Sequence, residues 1–382
     1  MRLKKEWISV IPKKENYQLI NSMSGQKSEI NLDTLTIIQN LPETISIEKI
    51  TREYPDLSLE STQLLLDFLT EMNLVFEENI TVRLRKLPLI EEVTEKLFDG
   101  NNKKSKIAVL GLPYDGATSG KTGTKVAPDF LRKYTAGISS NYLDVNLESR
   151  ADHYYYEFRN SINDVGNVLT VPGEGSQNFH RRVFNSLSKL IDEGEYGKFI
   201  FLGGDHSVSY PLLQSLSSSG VADIIYIKFD AHYDSSGEIE GLPVNHHNYI
   251  SKIRKLSGVS DIFHIGAREP RRSTYDISED LVLNCLEDFN ENIIKTLKGK
   301  KVYISIDIDI LDPLVNPGTG FQVPFGISLE DLISKLEQLQ EFDVIAIDIV
   351  EYNPLLDRNQ KSLYNVLKLL EKSITILERI EK

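Results

Sequence analysis

One cysteine, one tryptophan and three methionines are spread over 382 residues. Neither an internal disulfide nor a thiolate metal finger can be built from that supply: Cys285, between Asn284 and Leu286, has no metal-ligating spacing. A reducing compartment fits the scarcity. Positive charge is short as well. With 43 basic against 56 acidic side chains and a net charge of −13, a general phosphate-gripping surface is disfavoured, which argues against nucleic acid as the main partner. No apolar run approaches the ~18 residues of a membrane span. The opening MRLKKEWISVIPKK lacks the long hydrophobic stretch and small-residue cleavage site of a secretory signal. The chain therefore reads as cytoplasmic, with no membrane partner. What is present is an ordinary folded composition, 40% hydrophobic, 26% charged and 9% aromatic. Its length predicts two domains or three at roughly 150 residues each.

The text changes character near residue 100. The stretch from Asp99 to Ser105 is polar and turn-rich, and the strand-like KIAVLGLP follows directly. A boundary is expected there, with residues 1–98 as one domain, 99–105 as a linker and 106–382 as a second. The first part shows short strand patterns at 17–21 and 29–32, then helical spacing near 33–41, 46–54 and 58–73. LVFEENITVRL after them reads as a returning strand pair. From residue 106 onward, near-continuous apolar runs (IAVLGL, KFIFLGG, DIIYIKFD, IFHIGA, KVYISIDIDI, DVIAIDIV) alternate with amphipathic segments. Strands buried on both faces by flanking helices read this way, which predicts an α/β fold with a parallel sheet.

In open α/β sheets ligands bind at the carboxyl ends of the strands. Four runs end in polar groups: FIFL in Gly203-Gly204-Asp205-His206-Ser207, IIYIKF in Asp230-Ala231-His232-Tyr233-Asp234, VYISI in Asp307-Ile308-Asp309, and VIAIDIV in Glu351. In an extended segment, alternate residues share a face, so Asp230, His232 and Asp234 are expected together, as are Asp307 and Asp309. Crowded buried carboxylates cost several kcal/mol, roughly, for each unpaired ion, and like charges drive them to take up protons. Basic side chains are scarce nearby, Lys228 being the nearest. Two divalent cations then suit four aspartates and two imidazoles better than one, with Mn2+ ahead of Ni2+, Co2+ or Fe2+ for such ligands. Any single piece alone would be read as a core histidine or a chance D-x-D. Ser207 has no base and acid at nucleophile spacing, so a serine hydrolase is not expected.

GGDHS at 203–207, DAHYD at 230–234, SIDIDILDPLVNPGTG at 305–320 and DIVEYNP at 348–354 resemble the ureohydrolases, the family of arginase, agmatinase and related guanidino-group hydrolases. GLPYDGATSGKTGTKVAPDFLRKY at 111–134 is a weaker echo. The resemblance implies a three-layer arginase-like fold over residues 106–382 and two Mn2+ per subunit. It implies that His206, Asp230, Asp234 and Asp307 hold one ion and His232, Asp230, Asp307 and Asp309 the other, with Asp230 and Asp307 shared. Glu351 matches the glutamate that pairs with the substrate guanidinium. A histidine near operating pH would supply the leaving amine's proton: His246 is the expected residue and its neighbour His247 the alternative. Asp205 and Asp348 are expected to orient ligands, and His153, His180 and His264 to be structural or at the surface. The family's trimers and hexamers imply self-association.

The order of elements in the first hundred residues resembles the small winged-helix peptide-binding modules of the PqqD type, which capture leader peptides of ribosomally made precursors. Through residue 95 there are 11 basic and 16 acidic side chains, a balance that argues against a DNA-binding winged helix. An appendage serving oligomerisation or structure alone is the plain alternative. Joined to the metal motifs, this resemblance predicts a peptide arginase that converts arginine side chains of a precursor peptide to ornithine and releases urea. The alternative is hydrolysis of a free guanidino compound: arginine, agmatine or a guanidino acid.

Overall fold

The computed structural model describes residues 1–76, 88–141, 158–236, 243–270, 277–278, 280–284, 287 and 289–378. The chain divides into two compact units, Met1–Leu87 with Val171–Glu174, and Pro88–Thr170 with Gly175–Lys382.

The smaller unit contains β1 (Arg2–Leu3), β2 (Ile8–Pro12), β3 (Tyr17–Asn21), β4 (Lys27–Ile30), α1 (Leu32–Asn40), α2 (Ile47–Glu53), α3 (Leu59–Glu71) and β5 (Val75–Phe76). β2, β3 and β4 form an antiparallel sheet in that order, and β1 pairs antiparallel with β5. The helices start where Asn31, Ser46 and Ser58 accept the backbone N–H of Thr34, Lys49 and Ser61, which satisfies first-turn donors that would otherwise lack partners. Leu19, Ile38, Leu41, Ile50, Leu69 and Leu74 close a core of their own. The three helices fall where the apolar spacing puts them. β2 was not legible: it ends in Pro12, which a sheet tolerates at an edge because no ladder N–H is needed there. Of the returning strand pair only β5 lies within the described residues.

Among the described residues the larger unit has nine strands: β6 (Ile90–Glu91), β7 (Ile107–Gly111), β8 (Asn163–Val168), β9 (Lys198–Leu202), β10 (Ile224–Phe229), β11 (Val259–Ile265), β12 (Leu281–Leu283), β13 (Lys301–Asp307) and β14 (Asp343–Val350). Their order is β12-β11-β10-β13-β14-β9-β7-β8-β6. Every pairing is parallel except the edge pair β6–β8. The helices are α4 (Ala127–Asn141), α5 (Ser176–Asp192), α6 (Ser209–Ser218), α7 (Tyr249–Ile253), α8 (Glu291–Leu297), α9 (Leu329–Leu339) and α10 (Lys361–Glu378). Strand side chains alternate between two apolar layers. Ile107, Val109, Ile225 and Ile304 face α4, α8, α9 and α10, while Ala108, Leu110, Tyr226 and Tyr303 face α5, α6 and α7. The result is a three-layer α/β sandwich. No helix of the described residues is long and apolar enough to cross a membrane.

The boundary differs from the one expected at 98–106. β6 pairs with β8. The N–H of Leu97 donates to Asp164 Oδ2 at 2.8 Å and that of Phe98 to Thr135 Oγ1 at 3.0 Å, and both side chains are buried in the core beside α4. Residues 99–105 are not a free linker either, since Asn101 bridges to Asn163 and Ser105 Oγ bonds Ser161 O. Two buried apolar residues in an otherwise polar stretch suffice to pin it.

Arg132 on α4 is almost wholly buried and grips Asp164 through Nε at 2.7 Å and Nη2 at 2.8 Å. Removing one partner of such a pair leaves an uncompensated buried charge. Arg132→Met is expected to lower the stability of the larger unit by about 3–5 kcal/mol, measured on that unit's transition in denaturant.

Candidate metal centre

The strand order brings β10, β13, β14 and β9 side by side, so the four polar termini lie on neighbouring strands ~5 Å apart. The turn after β9 needs its glycines: a Cβ on Gly204 would stand 1.8 Å from Tyr114 O, and one on Gly203 2.4 Å from a Val350 methyl. Asp205 and His206 are thereby drawn in against β14. Glu351, the first residue after β14, and Asp234 both take left-handed backbone (φ 61° and 50°), each at a cost of ~1–3 kcal/mol of the kind that accumulates at functional sites.

The grouping of Asp230, His232 and Asp234 has a different origin from the expected extended segment. β10 ends at Phe229, and the residues after it are irregular. Asp230 Oδ1 accepts the N–H of His232 at 2.5 Å, and Asp307 accepts the N–H of Asp309 at 2.9 Å, where a 3-10 turn (Ile308–Ile310) follows β13. Aspartates that hydrogen-bond the backbone two residues on make compact turns, and these turns gather the side chains.

Two overlapping sets of candidate ligand atoms result: His206, Asp230 and Asp307, and Asp230, His232 and Asp309. Asp230 belongs to both. His206 Nδ1 lies 2.9 Å from Asp230 Oδ2, 3.2 Å from Asp307 Oδ2 and 3.4 Å from Asp234 Oδ2, and His232 Nδ1 lies 2.8 Å from Asp309 Oδ2. All six expected ligands are therefore assembled. Asp307 falls in the first set and Asp234 stands beside it.

The residues fit metal ions. His206 Nε2 donates to Ser305 Oγ at 2.8 Å, and Ser305 Oγ in turn donates to Asp348 Oδ1 at 2.5 Å. That chain leaves the Nδ1 lone pair facing the carboxylates, as a ligand requires. Asp230 Oδ2 is buried without an aligned hydrogen-bond donor. Burial, then Asp309 and Asp230, raise the Asp307 pKa well above its ordinary value. Burial and Asp230 also raise that of Asp309. Only added positive charge lets all of these ionise together.

A family profile described as the arginase family matches residues 105–375. The chain belongs to the arginase family. An agmatinase of Halalkalibacterium halodurans is 30% identical over 271 residues, covering 69% of this chain and 89% of that enzyme. An agmatinase of Bacillus anthracis is 28% identical over 269 residues, covering 68% and 88%. Among solved structures, the agmatine ureohydrolase of Thermoplasma volcanium matches with TM-score 0.61 and 27% identity, over 78% of this chain and 97% of that one. Proclavaminate amidino hydrolase from Streptomyces clavuligerus, at 20% identity and TM-score 0.62 over 77% and 100%, shares the fold. Membership makes the protein a metal-dependent ureohydrolase acting on guanidino groups.

In this arginase-family chain Glu351 faces the cluster. Its Oε1 accepts the N–H of His206 at 3.0 Å, which fixes the side chain. His246 is buried with Nδ1 3.7 Å from Glu351 Oε1, while His247 is exposed. Of the two adjacent histidines, His246 is the one beside the carboxylate. Burial lowers its pKa, but the carboxylates of Glu351, Asp234 and Asp205 together outweigh burial and the net shift is upward. The N–H of Ser119, donating to Nε2 at 2.9 Å, works against protonation there. Glu351→Gln is therefore expected to lower the His246 pKa, read from the imidazole proton resonances of metal-free protein.

Asp205 and Asp348 lie where orienting residues were expected. Asp205 accepts from Ala117 N and Ser207, and burial and Glu351 raise its pKa to about 7. Asp348 collects the hydroxyls of Ser209, Tyr303 and Ser305. His180 bonds Ser207 Oγ and His264 bonds Asp280, both away from the ligand set. His153 lies outside the described residues.

Two residues escaped the sequence reading. Lys228 is fully buried, 2.7 Å from Asp234 Oδ2 and 3.0 Å from Asp230 Oδ2. The signal was a lysine inside an unbroken apolar run, where a solvated cation has no room. Phe321 stands with its ring centroid 5.4 Å from that of His246 and 6.0 Å from that of His247, walling the mouth of the pocket. Nothing in the pattern of PGTGF singled it out.

Proposed function

We propose that the chain hydrolyses the guanidino group of a free, small guanidino compound, releasing urea and the corresponding amine, with two Mn2+ as resident ions. The observation that carries this reading is the Glu351 carboxylate lining the same narrow cleft as His206, His232, Asp234, Asp307 and Asp309. His206, Asp230, Asp234 and Asp307 would hold one ion, and Asp230, His232 and Asp309 the other. Bound there, such a pair would supply an activated water for attack on the guanidinium carbon. Glu351 pairs with the planar cation by charge-assisted hydrogen bonds and fixes that carbon in place. His246 holds the proton that the departing amine takes up.

The curated relatives reported above are agmatinases, which favours the free compound over the peptide as substrate. The described residues lining the cleft include no lysine or arginine, only His206, His232, His246 and His247 as nitrogen bases. A guanidino amine of the agmatine kind is the substrate class that these relatives favour. Phe321 and the two histidines offer an aromatic wall to its methylene chain and distal ammonium.

The peptide reading retains one specific support: Met1–Leu87, the bulk of the smaller unit, lies outside the matched residues 105–375. Its three-stranded sheet has two edge strands, β2 and β4, each with a single partner among the described residues. An edge of this kind accepts an extended peptide as an added strand, which would tether a precursor and raise its effective concentration.

Urea release from the Mn2+-loaded protein, assayed with agmatine, arginine, guanidino acids and an arginine-containing peptide, separates the readings. The expected order puts agmatine first. Release from the peptide alone would overturn the small-molecule reading and leave the tethered one standing. Self-association is read in the same preparation by light scattering, with a trimer or hexamer expected.

A further inference from the structure

Of the ten described residues that line the cleft, Phe321 alone is apolar. Its ring centroid stands 5.4 Å from that of His246, 6.0 Å from that of His247 and 6.2 Å from that of His232. His246 is buried and His247 exposed, so the ring lies where the cleft opens to solvent. The ring also meets Gly120, where a Cβ would come within 2.3 and 2.4 Å of two ring carbons. Only a residue without a side chain lets the phenyl group take this position. Gly120 is itself held from both sides. The N–H and Oγ of Ser119 lie 2.9 and 3.1 Å from His246 Nε2, and Asn353, two residues beyond Glu351, donates through Nδ2 to Thr122 O at 3.0 Å. The stretch TSGKT at 118–122 is therefore a fixed seat for the ring.

The space left inside the cleft, about 20 Å3, suits one or two waters. A guanidinium and the first carbons of its chain displace far more, so a lining group has to give way as a substrate enters. His206, His246, Asp309 and Glu351 are tied by hydrogen bonds. A phenyl ring makes no such bond and can move between staggered rotamers. With the guanidinium held at Glu351, the chain has to leave past this ring and the imidazoles. Unbranched methylenes lose water against them favourably. A branch would have to share that width with the ring, and a polar one would press on a phenyl face that offers it no hydrogen bond.

We propose that Phe321, seated on Gly120, is the specificity-determining gate of this cleft. It turns aside for a slim guanidino amine, closes over the methylene chain, and disfavours a chain that is branched where it crosses the ring, as in arginine or an arginine residue of a peptide. The inference rests on the guanidino-hydrolase reading given above.

The test uses the full-length, Mn2+-loaded protein. The ratio of kcat/KM for agmatine to that for arginine is expected to fall by about tenfold or more in Phe321→Ala, the scale on which methylene-sized groups discriminate in an apolar pocket. The change comes mainly through a lower KM for arginine, with metal content unaltered. Gly120→Ala keeps the phenyl ring but denies it its seat, and is expected to shrink the ratio as well. Added to Phe321→Ala it changes nothing further, because the ring it would meet is gone. An unchanged ratio in Phe321→Ala, or two effects that simply add, overturns the gate and leaves the hydrolase reading standing. Putrescine and ornithine, which carry no guanidino group, give a measure that needs no turnover. By calorimetry the wild type is expected to prefer putrescine, and Phe321→Ala to lose that preference by a similar factor. Equal preference in both proteins, or binding of neither amine, overturns the gate. A preference present in the wild type and lost in the variant, without urea from any guanidino compound, would sink the hydrolase reading alone.

Discussion

Asp230→Asn is expected to reduce kcat/KM for guanidino hydrolysis by about 10³-fold or more and to strip the protein of metal, because this carboxylate alone belongs to both candidate ligand sets. One oxygen lies 2.9 Å from His206 Nδ1 and the other 3.4 Å from His232 Nδ1. Asparagine keeps the size and can still accept the N–H of His232, so the turn after β10 survives the change. What disappears is one of four negative charges, together with the oxygen that either ion would need. A loss of several kcal/mol of charge stabilisation corresponds to three or more decades in rate at ~1.4 kcal/mol per decade. Urea assay and elemental analysis of the same sample provide the check, with a chelated and Mn2+-restored wild type beside it. Full metal content with less than about tenfold loss of activity would show that Asp230 is not the shared ligand.

Glu351→Gln is expected to lower kcat/KM by about 10²–10⁴-fold, in line with the roughly 3–5 kcal/mol of an uncompensated buried charge, with metal content unchanged. The two variants thus separate by one measurement, metal analysis. Glutamine can keep the bond to the His206 N–H that holds the side chain in place, so the expected loss comes from the missing charge opposite the guanidinium and not from a collapsed loop. Because that cation is present in the bound substrate and persists toward the transition state, both KM and kcat should worsen. A neutral amidine analogue should discriminate less between variant and wild type than a guanidinium substrate does.

Much of this centre could be read from residue order because its parts are punctuated by strand ends. An apolar run that stops at Asp, His or Glu announces both a buried strand and an expensive polar terminus, and His206, Asp230, His232, Asp234, Asp307, Asp309 and Glu351 were all recognisable on that ground or by resemblance. Lys228 was visible as the nearest base, but its partners were not, since a lysine within a strand does not disclose which carboxylate it will meet. The unit boundary was misplaced because Leu97 and Phe98 are only two apolar residues among polar ones, and local pattern assigns such a stretch to a loop. The short strand β2, closed by Pro12, fell below the signal for the same reason.

Residue order alone determined the kinds of elements, the ligand types and the family resemblance, because periodicity, capping and strand termini are local properties of the chain. Only the tertiary structure decided that β13 and β14 insert between β10 and β9. It also decided that the turns after Asp230 and Asp307 gather their side chains, and that Lys228 presses against one side of the cluster. Those outcomes depend on which strands pair across 40 to 150 residues of intervening chain, roughly, and such long-range pairing is settled by the packing of two helical layers against the sheet, which no local window of sequence contains.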